Sequence, residues 1–135
     1  FSGTASNNNA MTGTYQSSAG CGSSGVQCNS GTFTAQKVLP PNGTYAGTLR
    51  FNDGTSENVN VNASTSSTGT MSVTGTVTGP DAGSVNLSGS AIGASASVSG
   101  TVSGQASSLY VWQHGNTAYI LDTNTGLFLG TLTRQ

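Results

Sequence analysis

Few residues in this chain could carry out nucleophilic or acid–base chemistry. The only histidine is His114, and a nucleophilic triad would need it beside an activated serine and either Asp122 or Asp53. The chain has no Gly-x-Ser-x-Gly sequence, the strained turn that exposes such a serine in many hydrolases. We therefore predict that the protein is not an enzyme and that no residue is catalytic.

The four carboxylates are the remaining candidates for paired-acid or metal chemistry; they are Asp53, Glu57, Asp81 and Asp122. Glycoside hydrolysis by two carboxylates requires them to face each other across a cleft. Asp53 and Glu57 flank one predicted hairpin and Asp81 follows a Gly-Pro turn, so we expect solvated turn residues. A calcium site from Asp53, Glu57 and carbonyl oxygens is a minor alternative. We predict no metal ion and no cofactor.

A strip of aromatic residues late in the chain is the main candidate for a binding surface. Tyr110, Trp112 and His114 alternate along one segment, and residues two apart share one face of a strand. Tyr119 follows just across the next predicted turn. The strip is either ordinary packing or an exposed surface that binds a sugar, a lipophilic ligand or another subunit.

Composition excludes several classes of partner. Charged residues make up 5% of the chain, and three basic against four acidic residues give a net charge of −1. Three cations cannot form the electropositive surface that binds nucleic acid. No apolar run approaches the roughly 20 residues of a transmembrane helix. We nevertheless expect a folded protein, because a nearly neutral chain has little charge repulsion to keep it open.

The cysteines bear on the compartment. Cys21 and Cys28 have six residues between them, in a segment rich in glycine and serine. A disulfide that closes this loop is the favoured interpretation, with two free thiols as the alternative, and a disulfide indicates an oxidising compartment. The low charge and a first residue, Phe1, other than methionine suit a processed export product. We expect an extracytoplasmic bacterial protein, whether secreted, periplasmic or on the cell surface.

A short motif recurs along the chain: an apolar residue, a small one, glycine, threonine or serine, and a second apolar residue. In a strand the glycine shares a face with its two apolar neighbours. An inward glycine removes bulk where a sheet bends or approaches another backbone. The motif therefore predicts a strongly coiled β-sheet. Its copies begin at Phe1, Met11, Tyr45, Val73, Leu87, Val98 and Phe128.

The spacing of strand and turn signals predicts an all-β fold. We expect an antiparallel up-and-down barrel, or a barrel-like sandwich, of about eight strands over residues 42–135. Residues 1–41 form an N-terminal extension, in which Met11–Gln16 and Thr32–Leu39 are expected to pair as a hairpin. The predicted barrel strands are Thr44–Phe51, one through Val59 to Ala63, Thr70–Thr78, Ser84–Ile92, Ala94–Ser103, Leu109–Gln113, Ala118–Asp122 and Leu127–Thr133.

Two short sites carry a family resemblance. Gly43-Thr44-Tyr45 opens the first predicted barrel strand, and Arg134 stands just after the last. With these residues the segment 42–135 resembles the lipocalin-like (calycin-type) barrels of bacterial secreted lipoproteins and surface proteins. Those barrels open with Gly-x-Trp and place a basic residue over the tryptophan ring; here tyrosine replaces tryptophan. The resemblance implies a barrel-closing pair, Tyr45 and Arg134, and an envelope location rather than an activity.

Three functions are consistent with these observations. The favoured one is a structural or interaction subunit of a cell-surface or extracellular assembly, which binds copies of itself or other envelope subunits. Phe1-Ser-Gly-Thr-Ala5 repeats the strand motif ahead of a polar linker, and a detached strand could complete a neighbour's sheet in a filament. The alternatives are a lipocalin-like binder of a small lipophilic ligand and a carbohydrate-binding or accessory module of an envelope lipoprotein.

Overall fold

The structure is a computed structural model that describes residues 2–7, 10–16, 29–36 and 38–135. The chain divides into two compact units, Phe1–Val38 and Leu39–Gln135. The predictions for Phe1 and for the pairing of Cys21 with Cys28 fall outside the described residues, so they stay predictions. The part of the chain that is described contains no helix with the length and apolarity needed to cross a membrane.

The N-terminal unit contains a three-stranded antiparallel sheet in the order β1-β2-β3. β1 pairs with β2 from Ser2 opposite Thr14 to Asn7 opposite Ala10, with an irregularity before Asn7. The segment that was expected as a detached strand is therefore paired within its own chain and extends the predicted hairpin. The three strands are β1 (Ser2–Asn7), β2 (Ala10–Gln16) and β3 (Ser30–Gln36).

The C-terminal unit is a closed antiparallel barrel of eight strands. Each strand pairs with the next along the chain, and the last returns to pair with the first. The predicted all-β class is confirmed, and of the two architectures left open the structure has the closed barrel, which leaves no free strand edge. Its strands are β4 (Gly43–Arg50), β5 (Ser56–Thr65), β6 (Thr70–Thr78), β7 (Gly83–Ile92), β8 (Ser95–Val102), β9 (Gln105–His114), β10 (Thr117–Asp122) and β11 (Phe128–Arg134).

Alternation along the strands separates a small apolar interior from a hydroxyl- and amide-rich exterior. In β5, Glu57, Val59, Val61 and Ala63 are buried, whereas the residues between them are exposed. Valine, leucine and alanine dominate the interior, and Tyr45 and Met71 are among its largest buried side chains. A cavity of about 60 Å³, lined only by apolar residues and Tyr45, remains at the centre of the barrel.

Glycines in the middle of strands let adjacent backbones approach closely. A Cβ on Gly75 of β6 would overlap the carbonyl oxygen of Asn60 and lie 2.7 Å from Cα of Val61, both in β5. A Cβ on Gly89 of β7 would likewise overlap the carbonyl oxygen of Ser97 in β8. These contacts give the recurring glycine its physical reason, because any side chain there would push two paired strands apart.

Candidate functional site

The outer surface of β9, β10 and β11 carries a cluster of aromatic side chains. Val111, Ile120 and Leu129 of these strands are buried in the barrel, so their neighbours point outward. Trp112 lies directly opposite Tyr119 in the pairing of β9 with β10. Their rings stack with centroids 5.2 Å apart and planes 8° from parallel. This cross-strand pair is the centre of the cluster.

Two further rings extend the pair in both directions. Tyr110 lies 6.1 Å from Trp112 with the planes tilted by 31°. Phe128 lies 6.2 Å from Trp112 and 6.4 Å from Tyr119. Phe128 is 53% exposed and the other three are partly exposed. We call these four residues, Tyr110, Trp112, Tyr119 and Phe128, the aromatic face.

Phe128 belongs to the aromatic face because of a bulge that the sequence pattern does not reveal. The glycine motif placed Phe128 on the inward side with Gly130 and Leu132, and this expectation is wrong. The register shifts between Ile120 and Leu121, so that Gly130 pairs with Ile120 but Phe128 pairs with Leu121. The extra residue, Leu129, is buried instead. A β-bulge thus turns Phe128 outward.

His114 lies outside the aromatic face. His114 is the last residue of β9, is exposed and pairs with Thr117 across the tight turn to β10. Its neighbour Gln113 is partly buried and donates from Nε2 to the carbonyl oxygen of Gly115 at 2.7 Å. The structure therefore places His114 at the end of the strip, beyond the four clustered rings.

Tyr45 and Arg134 come together at the same end of the barrel as this turn. They lie opposite each other in the pairing of β11 with β4, and the Arg134 guanidinium covers the Cα of Gly43. The buried Tyr45 phenol donates to Oε1 of Gln113 at 2.9 Å. Burial raises the pKa of Tyr45, and the nearby charge of Arg134 offsets part of that increase. The pair links the first and last strands of the barrel.

The opposite end of the barrel gathers all the carboxylates of the chain. Turns β4–β5, β6–β7, β8–β9 and β10–β11 surround an open depression of about 340 Å³. We call it the acidic end. Asp53, Glu57, Asp81 and Asp122 all line it, and they are the four acidic residues of the sequence. From the sequence, only Asp53 and Glu57 were expected to lie near each other, and the convergence of all four carboxylates was not predicted.

Glu57 differs most from its expected position. It was expected to be a solvated turn residue, but it is only 1% exposed, because it follows the inward alternation of Val59 and Val61 along β5. Its Oε1 accepts a hydrogen bond from the backbone N–H of Asp81 at 3.2 Å. Its Oε2 has no hydrogen-bond partner in the described part of the chain. The period-two pattern was the signal that could have placed it inside.

Asp53 and Asp122 are fixed at the acidic end by local hydrogen bonds. Thr55 donates to Oδ1 of Asp53 from its hydroxyl at 2.7 Å and from its backbone N–H at 2.8 Å. These bonds hold the pKa of Asp53 below its usual value. Burial acts to raise the pKa of Asp122, but hydrogen bonds from Asn52, Asn124 and Thr125 outweigh it and lower that pKa overall. Both residues are carboxylates at neutral pH.

No family model matches the chain, and no match was found among curated proteins or among solved structures.

Proposed function

We propose that this protein is a non-enzymatic, extracytoplasmic interaction subunit of a cell-surface or extracellular assembly, built on a lipocalin-like barrel. The aromatic face carries the proposal: it is the surface that contacts a second copy of the chain or another subunit. Within residues 39–135, Tyr45 is buried and Phe51 partly buried, whereas the other four aromatic residues lie outside. Clustered exposed aromatics mark interaction surfaces more often than they mark ordinary monomer surface.

The apolar surface continues beyond the four rings. Ile92, at the end of β7, is 85% exposed. It pairs with Ser95 of β8, and Ser95 pairs with Trp112 of β9. Because paired residues lie in a row across a sheet, Ile92, Ser95, Trp112 and Tyr119 cross four strands in one line. A small residue between larger apolar ones makes a shallow surface that suits a flat protein partner.

The barrel interior favours this proposal over a lipophilic ligand. Pockets for small organic ligands occupy roughly 300–1,000 Å³, whereas the apolar cavity here measures about 60 Å³. Val73, Val98 and Met71 fill the space that a ligand would need. The inward side chains are small, but together they leave only this cavity unfilled at the centre of the barrel.

Carbohydrate binding is the alternative that the aromatic face itself suggests. Sugar rings stack on the open face of an aromatic side chain, usually with polar groups alongside. Here Trp112 and Tyr119 stack on each other, so each ring already covers one face of its neighbour. This arrangement favours edge and side contacts with protein over a platform for a sugar.

The N-terminal sheet offers a second mode of association. In the described residues β2 is central, and β1 and β3 each pair with β2 alone. Edge strands present unpaired backbone N–H and C=O groups that can add a strand from another chain. If another chain adds a strand to an edge of this sheet, β1 stays paired with β2. If β1 instead moves into a neighbouring copy, its pairing with β2 must first break.

Light scattering of the native protein, with electron micrographs of the same sample, tests the proposal. We expect particles much heavier than the 13.4 kDa chain. The double variant Trp112→Ser with Phe128→Ser should shift them to lower mass, because it removes the exposed apolar area at the centre of the contact. Ile92→Ser should have a smaller effect in the same direction.

Thr74→Ser is the matched control, because exposed β6 residues lie on the wall opposite β10. It should leave particle mass unchanged. A native protein that is a 13.4 kDa monomer, or assemblies that survive loss of both aromatic residues, would refute this role of the aromatic face. Deletion of residues 1–7 measures separately whether the N-terminal strand is needed for association.

A further inference from the structure

The acidic end is an open, negatively charged depression whose floor is apolar. Its volume of about 340 Å³ falls within the range of small-molecule sites. Phe51, Val102 and Leu109 are among the apolar residues of its lining. The polar residues of the lining include the four carboxylates, and no lysine or arginine is among them. Such a surface is complementary to a molecule with both a positive charge and a short apolar part.

Two buried polar atoms in this lining have no hydrogen-bond partner in the described part of the chain. They are Oε2 of Glu57 and Oγ of Ser103, and both residues line the depression. Buried polar atoms are nearly always satisfied, since an unpaired one costs about 1–3 kcal/mol. Glu57 Oε2 packs against the Cα of Gly79, so the charge of this carboxyl group is not neutralised by a hydrogen bond to Oε2, and a cation close by would stabilise it.

The other carboxyl groups lie above this buried pair at the rim. The backbone N–H of Asp81 donates to Oε1 of Glu57 at 3.2 Å, which ties the β6–β7 turn to the lining of the depression. Asp122 is tied to the same rim by a 2.8 Å hydrogen bond from Nδ2 of Asn52. Arg50 ends β4 beside the β4–β5 turn and is exposed there, so the four carboxylates leave a net negative charge where several turns meet.

We propose that the acidic end binds a small organic cation through its ammonium or guanidinium group. The cationic group donates hydrogen bonds to the carboxylates of the rim, next to the buried charge of Glu57, and the apolar part of the ligand lies on Phe51 and Leu109. Nothing in the proposed role of the aromatic face requires this site, which lies at an end of the barrel rather than on its wall.

Size and spacing favour an organic cation over a metal ion. Calcium is held by six to eight oxygens at about 2.3–2.6 Å, which requires a tight cage. The described residues contain no group of three or more His, Cys, Asp or Glu side chains close enough to hold one metal ion. Carboxylates spread around a depression of about 340 Å³ match a ligand with several separated donors.

Isothermal titration with cadaverine, pentanediol and calcium chloride, each added separately to the full chain at physiological salt, tests the proposal. Cadaverine carries two ammonium groups on a short alkyl chain, and pentanediol has the same carbon chain without charge. We expect cadaverine to bind and the other two to give no saturable heat. Equal binding of pentanediol, tighter binding of calcium, or no binding of cadaverine would each overturn the proposal.

Two substitutions locate the bound cation. Glu57→Gln preserves the shape and the Oε1 acceptor for Asp81 but removes the buried charge, and it should weaken cadaverine binding roughly ten-fold or more. Asp122→Asn removes one charge at the rim and should also weaken cadaverine binding. We expect it to disturb folding less than Glu57→Gln, because Asp122 is less buried than Glu57. Unchanged affinity in both variants would place the ligand elsewhere and refute the site.

A charge-relocation variant is the matched control. Asp122→Asn combined with Asn60→Asp keeps the net charge but moves one carboxylate to an exposed position on β5, outside the depression. Binding should be as weak as in Asp122→Asn alone. Recovery of affinity would mean that cadaverine responds only to the overall charge of the protein, which would refute a specific site.

The same ammonium chemistry could be supplied by a free metabolite or by a lysine side chain of another subunit. Light scattering of the assembled protein with added cadaverine distinguishes the two sources. A fall in particle mass means that cadaverine displaces a basic side chain from the acidic end. An unchanged mass, with cadaverine bound, means that the site takes a free cation.

Discussion

The phenol of Tyr45 donates a hydrogen bond to Oε1 of Gln113 at 2.9 Å, across 68 residues of sequence. Tyr45 lies in β4, the first barrel strand, and Gln113 lies near the end of β9. The same Gln113 side chain donates to the turn after β9 through Gly115. One buried hydroxyl thus ties the first barrel strand to the turn between β9 and β10.

Tyr45→Phe should lower the free energy of unfolding by about 1–2 kcal/mol, because it removes this hydrogen bond and leaves the partly buried Oε1 of Gln113 unpaired. Urea denaturation of the wild type and the variant measures the change. A double-mutant cycle with Gln113→Ala should give a coupling energy of about 0.5 kcal/mol or more. Strictly additive effects would show that the hydrogen bond contributes nothing to stability.

Gly75→Ala should destabilise the barrel by about 1–3 kcal/mol or prevent its folding, because the added methyl group overlaps the backbone of β5. The adjacent outward position is the control: Thr74→Ala should change stability by less than about 0.5 kcal/mol. Thermal unfolding followed by circular dichroism measures both. Equal stability of Gly75→Ala and wild type would mean that the close strand approach is not required.

Acid should weaken the fold through Asp53 and Asp122. Both carboxyls have a pKa lowered from 3.8 in the folded state, so near that pH the unfolded chain binds more protons than the folded one. Their contribution to stability is complete above the unfolded pKa and is lost as pH falls through the folded pKa. The urea midpoint should therefore hold down to about pH 5 and drop below about pH 4.

Asp122→Asn should make this drop shallower, since the amide does not titrate. The comparison is best made as the difference between midpoints at neutral and acidic pH within each protein. An identical drop in the variant would assign the acid sensitivity to other groups.

Tyr119→Ser should expose Trp112 to solvent without moving the barrel interior. The two rings stack in parallel at 5.2 Å, and such a pair contributes about 0.5–1.5 kcal/mol beyond the area that it buries. We expect redder tryptophan emission and stronger acrylamide quenching in a folded protein. Because the protein has a single tryptophan, the signal reports on Trp112 alone. An unchanged emission spectrum would contradict the stacked geometry.

The barrel strands were readable from the sequence because their local signals agree with the tertiary structure. β6 spans Thr70–Thr78, as predicted, with Met71, Val73 and Val77 inward. β9 begins at Gln105, four residues before the predicted Leu109. The four additional residues, 105–108, are polar or small, and they extend the strand because they pair with Ser99–Val102 of β8. Pairing partners decide such strand ends, and a single sequence does not specify them.

The functional surfaces were less predictable, because both depend on closure of the barrel. The alternation of Tyr110 with Trp112 is a local pattern, whereas the bulge that adds Phe128 depends on how β10 and β11 pair. The acidic end is formed by turns about 20–70 residues apart, such as those at Asn52 and Asp122. Turn residues carry no sign of which end of a barrel they will occupy until the strand count and direction are known.

The uneven distribution of charge along the barrel also gives the barrel an electric dipole moment. Asp53, Glu57, Asp81 and Asp122 lie at one end together with a single cation, Arg50. Arg134 lies at the other end, near Tyr45 and Gly43. Close to a charged surface, within a Debye length of about 8 Å at physiological salt, the barrel experiences a torque as well as a force. Its acidic end turns towards positive charge, and the wall of β9, β10 and β11 then faces sideways towards neighbouring molecules.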